Sequence, residues 1–171
     1  MRQPPAVIQS TVLTETVLSP LAGRAEADWY LAPPGKWCPA QIVHHLALVV
    51  DASARTFESR RAHAPMRRRP RSPKEVVGYW LLSRVGWIPG RRRAPTPMRP
   101  EERPERAVVE RQFRNAVERF LALERELLPA RRADLFVKHP ALGDLTLPEW
   151  EQFHIWHCRH HARQIRERLA G

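Results

Sequence analysis

Cysteine is scarce in this chain of 171 residues: Cys38 and Cys158 are the only two. Two isolated thiols make no disulfide framework, and reduced cysteines are the simplest expectation. Long apolar runs are missing too. The longest, around Ile42 to Val50, holds two histidines and falls well short of the roughly 20 residues that span a bilayer. The opening MRQPPAVIQSTVL has neither the apolar core nor the small-residue cleavage pattern of a signal peptide. The expectation is a cytoplasmic protein with no membrane partner. No CxxC pair, glycine-rich phosphate loop or Ser-His-Asp arrangement is readable, which removes thioredoxin-like redox chemistry, P-loop nucleotide hydrolysis and serine hydrolysis from the leading classes.

Lysine is also rare. Only Lys36, Lys74 and Lys138 occur among 29 basic residues, so the net charge of +11 is an arginine charge. Much of it sits in SRRAHAPMRRRPRSPK (59–74) and RRRAPTPMRPEERPER (91–106), both proline-rich and devoid of aromatics. Single-stranded nucleic-acid sites interleave aromatics with basic groups. Solvated Arg/Pro loops over 60–72 and 87–103 are therefore expected, and nucleic acid is not the expected partner.

What the chain does have is helical periodicity, punctuated by Pro and Gly, without alternating strand patterns. A first helix is expected within 12–31, with Ser19-Pro20 as an alternative start. A second opens at Cys38-Pro39 and runs to about Arg60, Pro39 suiting the first helical position. Ser72-Pro73 opens a third, short helix with Val77, Trp80, Leu81 and Val85 as its buried stripe. A fourth spans about 104–128, its apolar stripe Val109, Phe113, Val117, Phe120, Leu121, Leu127 and Leu128. A turn with Pro140 and Gly143 follows, and Thr146 with Glu149 three residues on forms a capping box for a last helix reaching about Leu169. The length suits one all-α domain over 1–171, a helical bundle.

Half of the eight histidines fall in HIWHCRHHARQI, 154–165. On a helix, His154, His157 and His161 share an arc about 60° wide, with His160 to its side. His157 and His161 are one turn apart, a spacing that lets two imidazoles reach one ion. His154 with His157 is an alternative pair. In the second helix, His45 lies at the edge of the face made by Ile42, Leu46, Val49 and Val50, where it can supply a third ligand; His44 points farther outward. The plainer reading of such histidines is hydrogen-bonded core or solvated surface. Cys158 points away from the pair, and Glu149 and Glu151 are weak candidates for a general base. Trp37, Trp150 and Trp156 read as packing residues, Trp156 also as a wall for the pocket.

Residues 37–46, WCPAQIVHHL, and 139–165, HPALGDLTLPEWEQFHIWHCRHHARQI, resemble the two signatures of the DinB/YfiT-like family. The resemblance implies a four-helix bundle with a long crossover connection. It implies a divalent metal, zinc or nickel, on one histidine of the second helix and an i,i+4 pair of the last: His45, His157 and His161. It also implies a water or low-molecular-weight thiol activated for attack on a small-molecule substrate, in a transferase or hydrolase reaction, and a homodimer. The Arg-rich middle, 60–106, departs from the pattern and leaves substrate specificity open. The alternative function is a non-catalytic metal-binding or anion/nucleic-acid-binding helical protein that uses its Arg-rich loops.

Overall fold

A computed structural model describes residues 10–86 and 94–170. The fold is all-α with one small hairpin. Its elements are α1 (Ser10–Leu18), α2 (Pro39–Arg60), α3 (Pro73–Val85), α4 (Arg106–Arg131), β1 (Val137–His139), β2 (Gly143–Leu145) and α5 (Leu147–Leu169). Helix α2 packs along α4 and beside α5; α1 packs on α4 and α5. These four form the bundle, and α3 lies outside it against α5. Among the described residues no helix is long and apolar enough to cross a membrane.

The core forms where the stripes meet. Ile42, Leu46, Val50 and Phe57 of α2 face Val109, Phe113, Val117, Phe120 and Leu121 of α4, all buried. The Phe57 and Phe120 rings meet edge to face at 6.5 Å. Residue 124 breaks the apolar run of α4: Glu124 is fully buried. Burial, and then the neighbouring Glu151, push its carboxyl up from 4.5 to about 8. A raised folded-state pKa favours the fold below pH 4.5 and loses that contribution as pH rises toward 8, because the unfolded chain gives up its proton first. Glu124→Gln is expected to remove this decline, gaining on the parent by up to about 1.4 kcal/mol per pH unit across that window. Urea unfolding at pH 5, 6, 7 and 8 reads it; parallel pH profiles for the two proteins would contradict it.

Several elements differ from expectation. Helix α1 ends at Leu18, and Ser19-Pro20 starts a short 3-10 turn (Ser19–Leu21) rather than a helix. A second 3-10 turn (Glu26–Tyr30) buries Trp29. The expected turn after α4 is an antiparallel hairpin, Val137 opposite Leu145 and His139 opposite Gly143. Strands of three residues carry no readable alternation. Gly143 takes φ +78 at its corner, and Trp150 Nε1 donates to the Val137 carbonyl at 3.1 Å, fixing the hairpin on α5.

The stripe assigned to α3 is also corrected. Val77 and Trp80 are both 57% exposed, and Leu82 is the buried contact. Val85's side chain lies outside the described residues. Helix α3 lies outside the bundle and buries only a narrow face: its Gly78 approaches Leu142 of the hairpin turn, and the helix also packs on α5. Gly86 closes α3 at φ +62, a conformation that favours glycine. A Cβ there would stand 2.3 Å from Trp156 Cε3. Gly86→Ala is therefore expected to destabilise by about 2–3 kcal/mol, backbone strain and overlap adding. Thermal unfolding within 1 kcal/mol of the parent, by the same kind of estimate, would contradict this.

Finally, the 60–72 loop is not simply solvated. Arg68 Nη2 donates to both Glu149 oxygens (2.7 and 2.6 Å) and to the Asp144 carbonyl (2.8 Å). Arg71 reaches Glu149 at 3.0 Å and the Leu142 carbonyl at 3.0 Å, with its guanidinium 4.0 Å over the Tyr79 ring. Arg69 pairs with Asp144. The loop is a strap that binds the hairpin and the start of α5. Buried and half-buried acids on the hairpin and α5, far away in sequence, draw the arginines in.

Candidate metal centre

Two helix starts place the histidines. Gln41, one turn into α2, accepts the Cys38 N–H at 3.1 Å and donates to the carbonyls of Glu102 (2.9 Å) and Glu101 (3.3 Å). This ties the first turn of α2 to the segment ahead of α4. On α5, Thr146 and Glu149 form the expected capping box: Glu149 Oε2 accepts the Thr146 N–H at 2.9 Å, and Thr146 Oγ1 accepts the Glu149 N–H at 3.4 Å. From these anchored starts, α2 and α5 carry His45, His157 and His161 inward.

The three rings converge. His45 Nε2 is 3.4 Å from His157 Nε2, and His157 Nε2 is 3.1 Å from His161 Nε2. One ring nitrogen from each of the three lies within 4.8 Å of the others, and all three residues are buried. Nitrogens bound tetrahedrally at the usual zinc–imidazole length would lie about 3.3 Å apart. The 3.4 and 3.1 Å separations bracket that distance, so these ring nitrogens match the reach of a small divalent ion.

Tautomers decide what the nitrogens can do. His45 Nδ1–H donates to the Met98 carbonyl at 2.7 Å, and a carbonyl can only accept. In the neutral ring the proton is thereby fixed on Nδ1, and Nε2 presents a lone pair. His161 Nδ1–H donates to Gln164 Oε1 at 2.8 Å, while Gln164 Nε2 donates to His160 Nε2 at 3.2 Å. Gln164 Oε1 can only accept, so with the amide in this orientation the neutral His161 ring carries its proton on Nδ1, as His45 does. His157 stands between two lone pairs. Its Nδ1 is buried without a hydrogen-bond partner among the described residues, and its ring is held instead by stacking on Phe153, 25° from parallel at 5.0 Å. A proton on His157 Nε2 can serve one neighbour and leaves the other facing it unbonded; a cation at the centre serves all three.

Charge on the rings is disfavoured. Burial lowers the pKa of His45, against the raising effect of the Met98 carbonyl and with a further lowering from His44. Burial, then His45 and His160, lower His161 to about 3, and burial followed by His161 and His45 holds His157 well below 6.5. Neutral imidazoles are the ligand-competent form.

The remaining candidates divide. His154 is buried among Phe120, Trp150 and Phe153 and hydrogen-bonds Ser53 Oγ at 2.8 Å, a core histidine rather than a ligand of this cluster. His160 is half-buried; its ring meets that of His161 edge to face at 5.2 Å, and its Nε2 lies 3.2 Å from Gln164 Nε2. His44 does not point outward as expected: it is 6% exposed, and its Nδ1 accepts the Glu101 N–H at 3.2 Å. The segment before α4 covers that face, which periodicity within one helix cannot reveal. His139 accepts the Ala141 N–H and packs on Trp150 and Phe153. Glu149 is held by the strap, not poised as a base. Burial lifts the Cys158 thiol to about 12, which keeps it protonated. The Trp37 ring lies 5.0 Å from that of His45.

Two supporting groups were not legible as such. The Met98 carbonyl belongs to a 3-10 turn (Thr96–Met98) inside the Arg/Pro segment, and a main-chain acceptor leaves no side-chain signature. Gln164 did leave one, sitting three residues after His161. Gln164→Ala is expected to weaken metal binding about 10–100-fold while leaving the helix intact, the usual effect of removing a partner of a ligating histidine. A competition titration with a chromophoric chelator measures it; unchanged affinity would detach Gln164 from the centre.

Comparison with known proteins gives a family without an activity. The model of a protein family of unknown function, DUF1569, matches residues 24–168, which include all three histidines. No curated protein and no solved structure matches the chain.

Proposed function

The chain belongs to DUF1569, and we propose that it is a divalent-metal-dependent enzyme in which His45, His157 and His161 hold one zinc or nickel ion. The observation that carries this reading is the convergence of three buried ring nitrogens: His157 Nε2 stands 3.4 Å from His45 Nε2 and 3.1 Å from His161 Nε2, and the Met98 carbonyl draws the His45 proton to the far side of its ring. The resemblance of 37–46 and 139–165 to the DinB/YfiT-like signatures supports it as well. A bound divalent ion would supply a Lewis acid that makes water or a low-molecular-weight thiol nucleophilic near neutral pH. The chain's own contribution is orientation and exclusion: Phe153 stacks on one ligand ring, Trp37 packs against another, and the 94–105 segment closes over α2. Three protein ligands leave a position for a small-molecule substrate, so transfer to or from a thiol and hydrolysis are the reaction classes to test.

The alternative, an anion or nucleic-acid binder working through the Arg-rich loops, draws little from the 60–72 loop. Arg68, Arg69 and Arg71 are engaged within the chain. Arg91–Arg93 lie outside the described residues. Screening thiol-transfer and hydrolysis substrates with the metal-loaded chain, the stripped chain and His161→Ala tests the proposal. Turnover restored by zinc or nickel only in the parent is expected; equal turnover in the stripped chain would overturn it. The homodimer implied by the resemblance is part of the same proposal, and light scattering at micromolar concentration tests it.

A further inference from the structure

The stripe of α5 that carries the histidines does not stop with them. His157, His161, Gln164 and Arg168 follow at spacings of four, three and four, within an arc of about 60°. Arg168 begins about 10 Å along the axis beyond His161, and helical side chains lean back toward the N-terminus, toward the histidines. Its environment is unusual for a permanent cation. The side chain is only 12% exposed, yet its one hydrogen bond among the described residues is Nε to the Trp37 carbonyl at 3.2 Å. Its nearest carboxylate, Glu167, is 3.8 Å away, 55% exposed, and also 3.8 Å from Arg163. Among the described residues most of its donor fork meets no protein acceptor, and the half-exposed Glu167 carboxylate is a weak counter-ion. Trp37 connects it to the centre, its carbonyl holding Arg168 and its ring packing on His45.

We infer that Arg168 is a substrate-recognition residue and that the substrate of the three-histidine centre is a small molecule bearing a carboxylate, placed some 5–10 Å from the group that reaches the centre, a span set by the helical rise. This rests on the proposed metal site for the substrate's other end. Arginine suits the task because its planar fork pairs with a carboxylate through two parallel hydrogen bonds. A merely structural Arg168 would anchor Trp37 and show no preference among ligands.

The test uses the full chain loaded with cobalt(II), whose visible spectrum reports a thiolate reaching the metal. Mercaptohexanoate and mercaptohexanol are matched probes with and without the carboxylate. Separately, plain hexanoate is titrated into the parent while the Arg168 Nε–H resonance is followed by NMR, assigned by its loss in Arg168→Gln. The carboxylate probe is expected to bind on the order of tenfold or more tighter than the alcohol, as a charge-assisted pair would give. In Arg168→Gln the two should bind alike, at the parent's affinity for the alcohol, and Arg168→Lys should recover part of the preference. Equal binding of both probes to the parent, or a preference that survives Arg168→Gln, would overturn the inference and leave the metal site standing. If the chain takes up no cobalt(II), the metal reading fails; if it takes up cobalt and neither thiol changes the spectrum, the thiol route fails and the metal site stands. Hexanoate then decides the inference alone: a shifted Arg168 resonance keeps the anion site, and an unmoved one removes it.

Discussion

Replacing His161 by alanine is expected to weaken zinc binding by about a thousandfold or more, while the metal-free chain stays folded. Loss of a supporting partner already costs 10–100-fold at such sites, and His161 offers a nitrogen to the centre itself, 3.1 Å from that of His157. A thousandfold corresponds to about 4 kcal/mol. Stability should move little: the residue sits within α5, alanine favours helix, and Gln164 keeps its bond to His160. His154→Ala provides the contrast. It should leave zinc affinity within about threefold, yet destabilise by about 2–4 kcal/mol, because it opens a cavity between Phe120, Trp150 and Phe153. Chelator competition and urea unfolding on both variants separate the roles. Zinc affinity lost in His154→Ala and kept in His161→Ala would point instead to the His154–His157 pair.

Glu149→Ala should be the most destabilising single change outside the apolar core, by about 3 kcal/mol, or roughly 6–12 °C in melting temperature for a chain of this size. One carboxylate closes the capping box of α5 and receives Arg68 and Arg71. It is 16% exposed, and Arg71 is 15% exposed, so removal strands charge away from water. Burial acts to raise the Glu149 pKa; the hydrogen bonds from Arg68, Thr146 and Arg71 outweigh it and hold the group below 4.5. A depressed folded-state pKa gives stability that is present above pH 4.5 and lost as pH falls through the folded value. The deficit of Glu149→Ala should therefore shrink in acid. A deficit that is constant from pH 7 to pH 3 would mean packing, not charge, is what was removed.

The sequence announced most of this fold through its helix punctuation. Pro39 after Cys38, Pro73 after Ser72, and Thr146 with Glu149 mark the starts of α2, α3 and α5 at the residues where they occur. The face of α2 and the i,i+4 spacing on α5 made His45, His157 and His161 candidates beside a His154–His157 pair; the resemblance to the DinB/YfiT-like signatures selected the three, and the fold brings them together. What stayed hidden depends on long-range contact. The strap forms because Asp144 and Glu149 accept arginines more than seventy residues away in sequence. His44 is buried by a segment that carries no periodic signal. Trp80 is exposed because α3 lies outside the bundle and buries only a narrow face. The Met98 carbonyl is main chain, which sequence cannot mark as special.

The most direct test of the account is the metal content of untagged protein by inductively coupled plasma mass spectrometry, beside His45→Ala and His161→Ala. About one zinc or nickel per chain, lost in both variants while circular dichroism stays helical, is the result that three convergent neutral imidazoles predict. A parent chain that holds no metal even after reconstitution with zinc or nickel would contradict it, and the histidines would then be a buried polar cluster without an ion.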